Sequence, residues 1–188
     1  SSKLGEGSIF AFNIVLDQAR GKEETQKELS YSLKDVKVGM LETYSSRRNI
    51  WKKYLDNWQM QSDVFTSKES TQEAIEQADK INEPYQLLLL DRNEMTKGKD
   101  SLLEMLSKRK DIVVIMVSNE EDVSLSELKI AGVDGFLLKP FFPHILKAMF
   151  QLLLDAGEKQ QPLAEVATRH MIKNLLFSDD KSEKNSTE

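Results

Sequence analysis

Residues 85–91 read YQLLLLD, from Tyr85 to Asp91. The apolar run that fills this stretch, unbroken from Leu87 to Leu90, suits a strand covered on both faces, as in a parallel sheet, because a half-exposed strand alternates apolar with polar residues. The run ends in an acid, so Asp91 is expected at the carboxyl-terminal edge of a buried strand.

Working outward, the same grammar repeats. Toward the N-terminus, Val36 to Leu41 forms a short apolar run, and Ser46 to Trp58 carries Ile50, Trp51, Leu55 and Trp58 at helical spacing. A short strand is expected over Asp63 to Thr66. Ser67 is placed to cap a helix bearing Ala74, Ile75 and Ala78, which should end before Pro84. Toward the C-terminus come a helix from Lys99 to Ser107, a strand from Ile112 to Val117, and a short helix from Ser124 to Ala131. A strand over Gly135 to Leu138 and a helix from Pro143 to Leu154 complete the series. Five strand-helix units in succession imply an α/β domain with a doubly wound, five-stranded parallel sheet and helices on both faces, since right-handed crossovers lay each helix over the sheet.

The flanks read differently. Residues 4–16, LGEGSIFAFNIVL, alternate as a half-buried strand does, but lack local partners. Residues 18–34 are polar and of mixed charge, as expected of a linker, which puts a domain boundary near Asp35. The closing SDDKSEKNSTE is polar and terminal, and disorder is expected there.

Composition removes several function classes. A net charge of −5 and a pI near 5.3 argue against nucleic-acid binding, which needs clustered Lys and Arg to neutralise phosphates. There are no cysteines, and His144 and His170 lie far apart, so a structural zinc site is disfavoured and neither histidine is given a role. The longest apolar runs, such as Ile112 to Val117, fall far short of the roughly 20 residues that span a bilayer. No membrane contact is expected, and the reading is soluble and cytoplasmic.

In open parallel sheets, ligands collect beyond the carboxyl ends of the strands. The polar residues expected there are Glu42 and Thr43, Asp91, Ser118 and Asn119, and Lys139. A carboxylate can attack a phosphoryl group to give an acyl phosphate, provided that the added charge is neutralised. Asp91 is the candidate nucleophile. Magnesium is the candidate cofactor, with Glu42, Asp91 and the backbone carbonyl of Asn93 as its oxygen ligands. Lys139 would pair with a phosphoryl oxygen, and the Ser118 hydroxyl would donate to another.

Four stretches, KVGMLET, YQLLLLD, IVVIMVS and GVDGFLLKPF, resemble the response-regulator receiver family over about residues 35–154. The resemblance implies a flavodoxin-like fold with strand order 2-1-3-4-5. It also implies Asp91 as phospho-acceptor, Glu42 in the acidic pocket, Ser118 as switch hydroxyl, Phe136 as aromatic switch, and Lys139 as the lysine before Pro140. The segment GEGSIFAFNIVL looks like the last strand of a histidine-kinase ATPase domain, and LAEVATRHMI resembles a connector preceding a second receiver. A hybrid sensor histidine kinase is therefore the expected parent. Expected partners are a histidine-kinase or histidine-phosphotransfer domain, a neighbouring receiver and a second copy of the chain. No ATP site resides in this stretch.

Departures from the family pattern fall in the pocket. Thr43 stands where the family places the second acid, a direct metal ligand, and Asn119 stands where it has a small residue. The loop DRNEMTKGKD lacks the usual Met-Pro and Asp-Gly. Weak magnesium binding is expected, strengthened by Thr43→Asp. Two functions follow: a phosphoryl-accepting receiver, and an interaction module that keeps the fold without the chemistry. An aspartate-nucleophile hydrolase ranks below both, because such enzymes need a second acid two positions on, where Asn93 stands. Phe136, Trp51 and Trp58 have plain core packing as their default role.

Overall fold

The structure, a computed structural model, describes residues 2–3, 7–8, 10–15, 29–95 and 100–177. In chain order its main elements are β1 (Lys37–Leu41), α1 (Ser45–Asn57), β2 (Gln61–Phe65), α2 (Lys68–Lys80) and β3 (Leu87–Asp91). A 3-10 turn (Arg92–Glu94) leads to α3 (Ser101–Leu106), β4 (Val113–Ser118), α4 (Leu125–Ile130), β5 (Gly135–Leu138), α5 (Pro143–Glu158), β6 (Ala167–Thr168) and α6 (Arg169–Phe177). The sheet runs β2-β1-β3-β4-β5-β6, and every neighbouring pair is parallel. Its first five strands keep the expected order.

The leucine run explains the layering. Leu87 and Leu89 join one core cluster and Leu88 and Leu90 the other, since successive side chains on a strand point to opposite faces. The first cluster takes Leu55 of α1, Ile145 and Met149 of α5, and Ile172 and Leu176 of α6. The second takes Ile75 of α2, Leu102 and Leu106 of α3, and Leu128 of α4. All five residues of β3 are buried, which is why its pattern is continuous. At Gly135 in β5 a Cβ would lie 2.8 Å from Sδ of Met149, so glycine lets α5 press close to the strand that leads to Lys139. Trp51 stacks on Phe141 with ring centroids 5.1 Å apart, and Trp58 meets Phe150 edge-on at 5.9 Å, so both tryptophans pack as expected.

Three expectations about the flanks need correction. The connector after Leu154 is part of the fold: α5 continues to Glu158, β6 pairs with β5, and α6 buries Ile172 and Leu176. The fold also begins before Asp35. Leu33 is buried, Leu29 and Tyr31 pack on the first cluster, and the Gln151 side-chain amide donates to the carbonyls of Leu29 and Tyr31 at 2.8 and 2.7 Å. Finally, residues 10–15 form no strand, and Phe10, Phe12, Ile14 and Val15 are exposed. Alternation marks a face that needs a paired sheet to cover it, and among the described residues of this stretch Ser2–Lys3 and Gly7–Ser8 alone pair, as a two-stranded antiparallel ribbon. The rest of that stretch, the linker over 18–28 and the tail over 178–188 lie outside the described residues. Among the described residues no helix is long and apolar enough to cross a membrane.

Candidate functional site

Parallel register brings the strand ends into step. Leu41 lies opposite Leu90, Asp91 opposite Val117, and Ser118 opposite Leu138, so the residues just past these positions share one edge. Glu42, Asp91 and Ser118 are 2%, 1% and 0% exposed. Buried carboxylates demand charged or hydrogen-bonding partners, because desolvation otherwise penalises the ionised form heavily.

Asp91 has such partners on both oxygens. Its Oδ1 accepts the Asn93 backbone N–H at 3.1 Å. Its Oδ2 accepts from Nζ of Lys139 at 2.6 Å and from Nη2 of Arg47 at 3.3 Å. The same Nη2 donates to Oε1 of Glu42 at 2.9 Å, and Nε of Arg47 lies 2.8 Å from Oε2 of Glu42 as an ion-pair contact. Oε1 of Glu42 also accepts the Tyr44 N–H at 3.0 Å, while the Arg48 guanidinium holds the carbonyls of Glu42 and Thr43. Two carboxylates and two cations thus meet at the sheet edge, with no net charge. Burial of the Arg47 guanidinium would lower its pKa, but the hydrogen bond and charge of Glu42, with the charge of Asp91, outweigh it and hold the group above its ordinary value.

The other expected residues fall around this centre in different ways. Thr43 donates its hydroxyl to Oε1 of Glu94 at 2.7 Å, tying the β1 loop to the turn after Asp91. Ser118 turns its hydroxyl onto its own loop, accepting the Glu120 N–H at 2.9 Å and donating to the Glu120 carbonyl at 3.3 Å. Phe136 is buried in the second core cluster, in register with Met116 on one side and Thr168 of β6 on the other. Asn119 and Lys139 line an open cavity of about 390 Å³, together with Arg47, Ile50, Trp51, Pro140 and Phe141.

Magnesium requires near-octahedral oxygens at about 2.0–2.1 Å, several of them waters. The space between Glu42 and Asp91 holds the Arg47 guanidinium instead, and among the described residues no cluster of three or more acidic, histidine or cysteine side chains is arranged to hold a metal ion. As arranged, the residues present do not fit the ion.

Arg47 is the site residue that reading the sequence missed. A signal was there: Arg47 and Arg48 sit in the first turn of α1, which contains no acid. Cations are disfavoured beside the positive end of the helix dipole, so they imply anionic or carbonyl partners beyond the helix.

No family model and no curated protein matches the sequence. Solved structures do match it. A CheY-like response-regulator receiver domain protein from Methanospirillum hungatei is 24% identical with a TM-score of 0.53, over 69% of this chain and 99% of that one. The BeF3-activated N-terminal receiver domain of Klebsiella pneumoniae RstA is 21% identical with a TM-score of 0.52, over 63% and 97%. A response regulator receiver protein from Burkholderia phymatum is 18% identical with a TM-score of 0.51, over 63% and 94%. At these identities the likeness is one of fold. The chain has the flavodoxin-like fold of receiver domains, extended by a sixth strand and a sixth helix.

Proposed function

We propose that this chain is a receiver module of a two-component phosphorelay, carried by a hybrid sensor histidine kinase in the cytoplasm, with Asp91 as its phosphoryl acceptor. The observation that carries this reading is the buried Asp91 carboxylate paired with Lys139 at 2.6 Å on the carboxyl edge of a central strand. In the transfer, an Asp91 oxygen forms a bond to phosphorus while the bond from phosphorus to a donor histidine nitrogen breaks, and that nitrogen keeps the electron pair. Lys139 neutralises charge on the transferred group, and Ser118 would turn from Glu120 toward it. The donor is a kinase or histidine-phosphotransfer domain. A neighbouring receiver or a second copy of the chain is a further partner.

Incubation with a histidine-phosphorylated phosphotransfer domain, followed by mass spectrometry, tests this. The expected product gains one phosphoryl group, and Asp91→Asn abolishes the gain. Absence of any gain favours the second reading, an interaction module without the chemistry, for which the guanidinium lodged between the two acids speaks.

A further inference from the structure

We infer that Arg47 is the resident cation of the acidic pocket: it takes the place between Glu42 and Asp91 that a divalent ion would need, so such an ion enters only when Arg47 withdraws. One guanidinium reaches both acids, at 2.9 Å to Glu42 and 3.3 Å to Asp91, while Lys139 independently holds the second acid. The pocket is therefore neutral before any ion arrives. Adding a divalent ion to this set places two uncompensated positive charges beside two half-buried cations already paired with the buried acids, an arrangement that charge repulsion makes costly. Exchange is the way in.

The surroundings allow exchange. The Arg47 side chain is 30% exposed, and its guanidinium carbon lies 4.1 Å from the centre of the Tyr44 ring. It also borders the 390 Å³ cavity walled by Trp51 and Phe141, whose rings offer a cation a second resting place outside the pocket. Thr43 has a smaller part than its position implies, because its hydroxyl is engaged by Glu94. An aspartate at position 43 would give Arg47 another anion to hold and would not evict it.

This inference goes beyond phosphoryl acceptance and stands whether or not Asp91 is phosphorylated. Calorimetric titration with Mg2+, and electron paramagnetic resonance of Mn2+, test it on the whole chain without any phosphodonor. The variants are Arg47→Ser, Thr43→Asp, and Lys53→Ser, which removes an exposed charge from the same helix. Thermal melting checks each for folding; should Arg47→Ser fail to melt cooperatively, Arg47→Gln carries the same expectation. Arg47→Ser should bind at least about tenfold more tightly than wild type, the size of one charge-assisted hydrogen bond. Lys53→Ser and Thr43→Asp should stay within about threefold of wild type, the range of a screened or already compensated charge. Wild type binding as tightly as Arg47→Ser, Arg47→Ser binding no more tightly than Lys53→Ser, or a full gain from Thr43→Asp alone would each overturn the assignment.

Discussion

Asp91 and Asp100 are 1% and 4% exposed, and each has a lysine ammonium on one oxygen, Lys139 at 2.6 Å and Lys68 at 2.9 Å. Their other contacts diverge. Oδ1 of Asp100 accepts the backbone N–H groups of Leu102 and Leu103 at 3.1 and 3.4 Å, so this carboxylate caps α3 and meets the positive end of its dipole. Asp91 takes one backbone N–H, at Asn93, and its second oxygen is shared by two side-chain cations. Backbone donors leave only when the helix melts, whereas side-chain cations can rotate away and return. The same residue type at similar burial is thus fixed by backbone donors in one place and held by movable side-chain cations in the other.

Asp100→Ala has the largest expected effect. Loss of an N-cap costs about 0.5–2 kcal/mol, and stranding the partner of a buried ion pair adds to that, so a loss of about 2–3 kcal/mol is expected in urea unfolding. Asp100→Asn, which can still accept the backbone N–H groups, should recover about 1 kcal/mol of it. A loss below about 0.5 kcal/mol for Asp100→Ala would show that the cap contributes little.

Asp91→Ala should cost less, about 1 kcal/mol, although this carboxylate is the more deeply buried of the two. Lys139 is stranded as Lys68 would be, but no helix cap is lost with it, and Arg47 keeps Glu42 as a partner with its side chain partly open to water. The same unfolding experiment decides. If Asp91→Ala destabilises as much as Asp100→Ala, the pocket is holding the fold together and the division between a fixed cap and a movable ion cluster fails.

How far each feature could be read beforehand follows from how local its cause is. The run from Leu87 to Leu90 declares its two-sided burial in its own residues, and the acids and lysine at the strand ends follow from the periodicity of the units around them. Asp91, Glu42 and Lys139 were therefore legible as a set. The two-residue β6 is too short to carry any period; it exists because Val166 and Ala167 fill space beside β5, a fact about neighbours distant in sequence. The cap at Asp100 was masked by starting the helix at Lys99, although an acid just before a Ser-Leu-Leu run is a cap signal. Arg47 shows the limit most clearly, since its partners lie 5 and 44 residues away and only the odd placement of a cation at a helix start pointed to them.

Tyr31 gives the small end of the scale, a carboxylate interaction at the surface where water competes. Its hydroxyl donates to Oε1 of Glu158 at 3.0 Å, where the segment before β1 lies against α5. Burial pushes the phenol up from its usual 10.0 to about 12, assisted by the hydrogen bond and charge of Glu158 and the charge of Asp155. A folded-state pKa above the unfolded value means that the unfolded chain loses its proton first as pH rises. The contribution of the neutral hydroxyl is therefore complete below pH 10 and declines as pH rises toward about 12. Tyr31→Phe should lower stability by at most about 1 kcal/mol at pH 8, the net worth of one hydrogen bond. The gap to wild type should narrow between about pH 10 and pH 12, as the phenol titrates. Taking the difference between the two proteins cancels Tyr85, whose hydroxyl is bonded to Asp63 and whose pKa is raised in the same direction, by burial first and then by that acid. Urea midpoints at a series of alkaline pH values supply the measurement. A gap that stays constant across that range would mean that the Glu158 contact does not hold the phenol protonated, and that the segment docks on α5 through Leu29, Leu33 and the Gln151 amide alone.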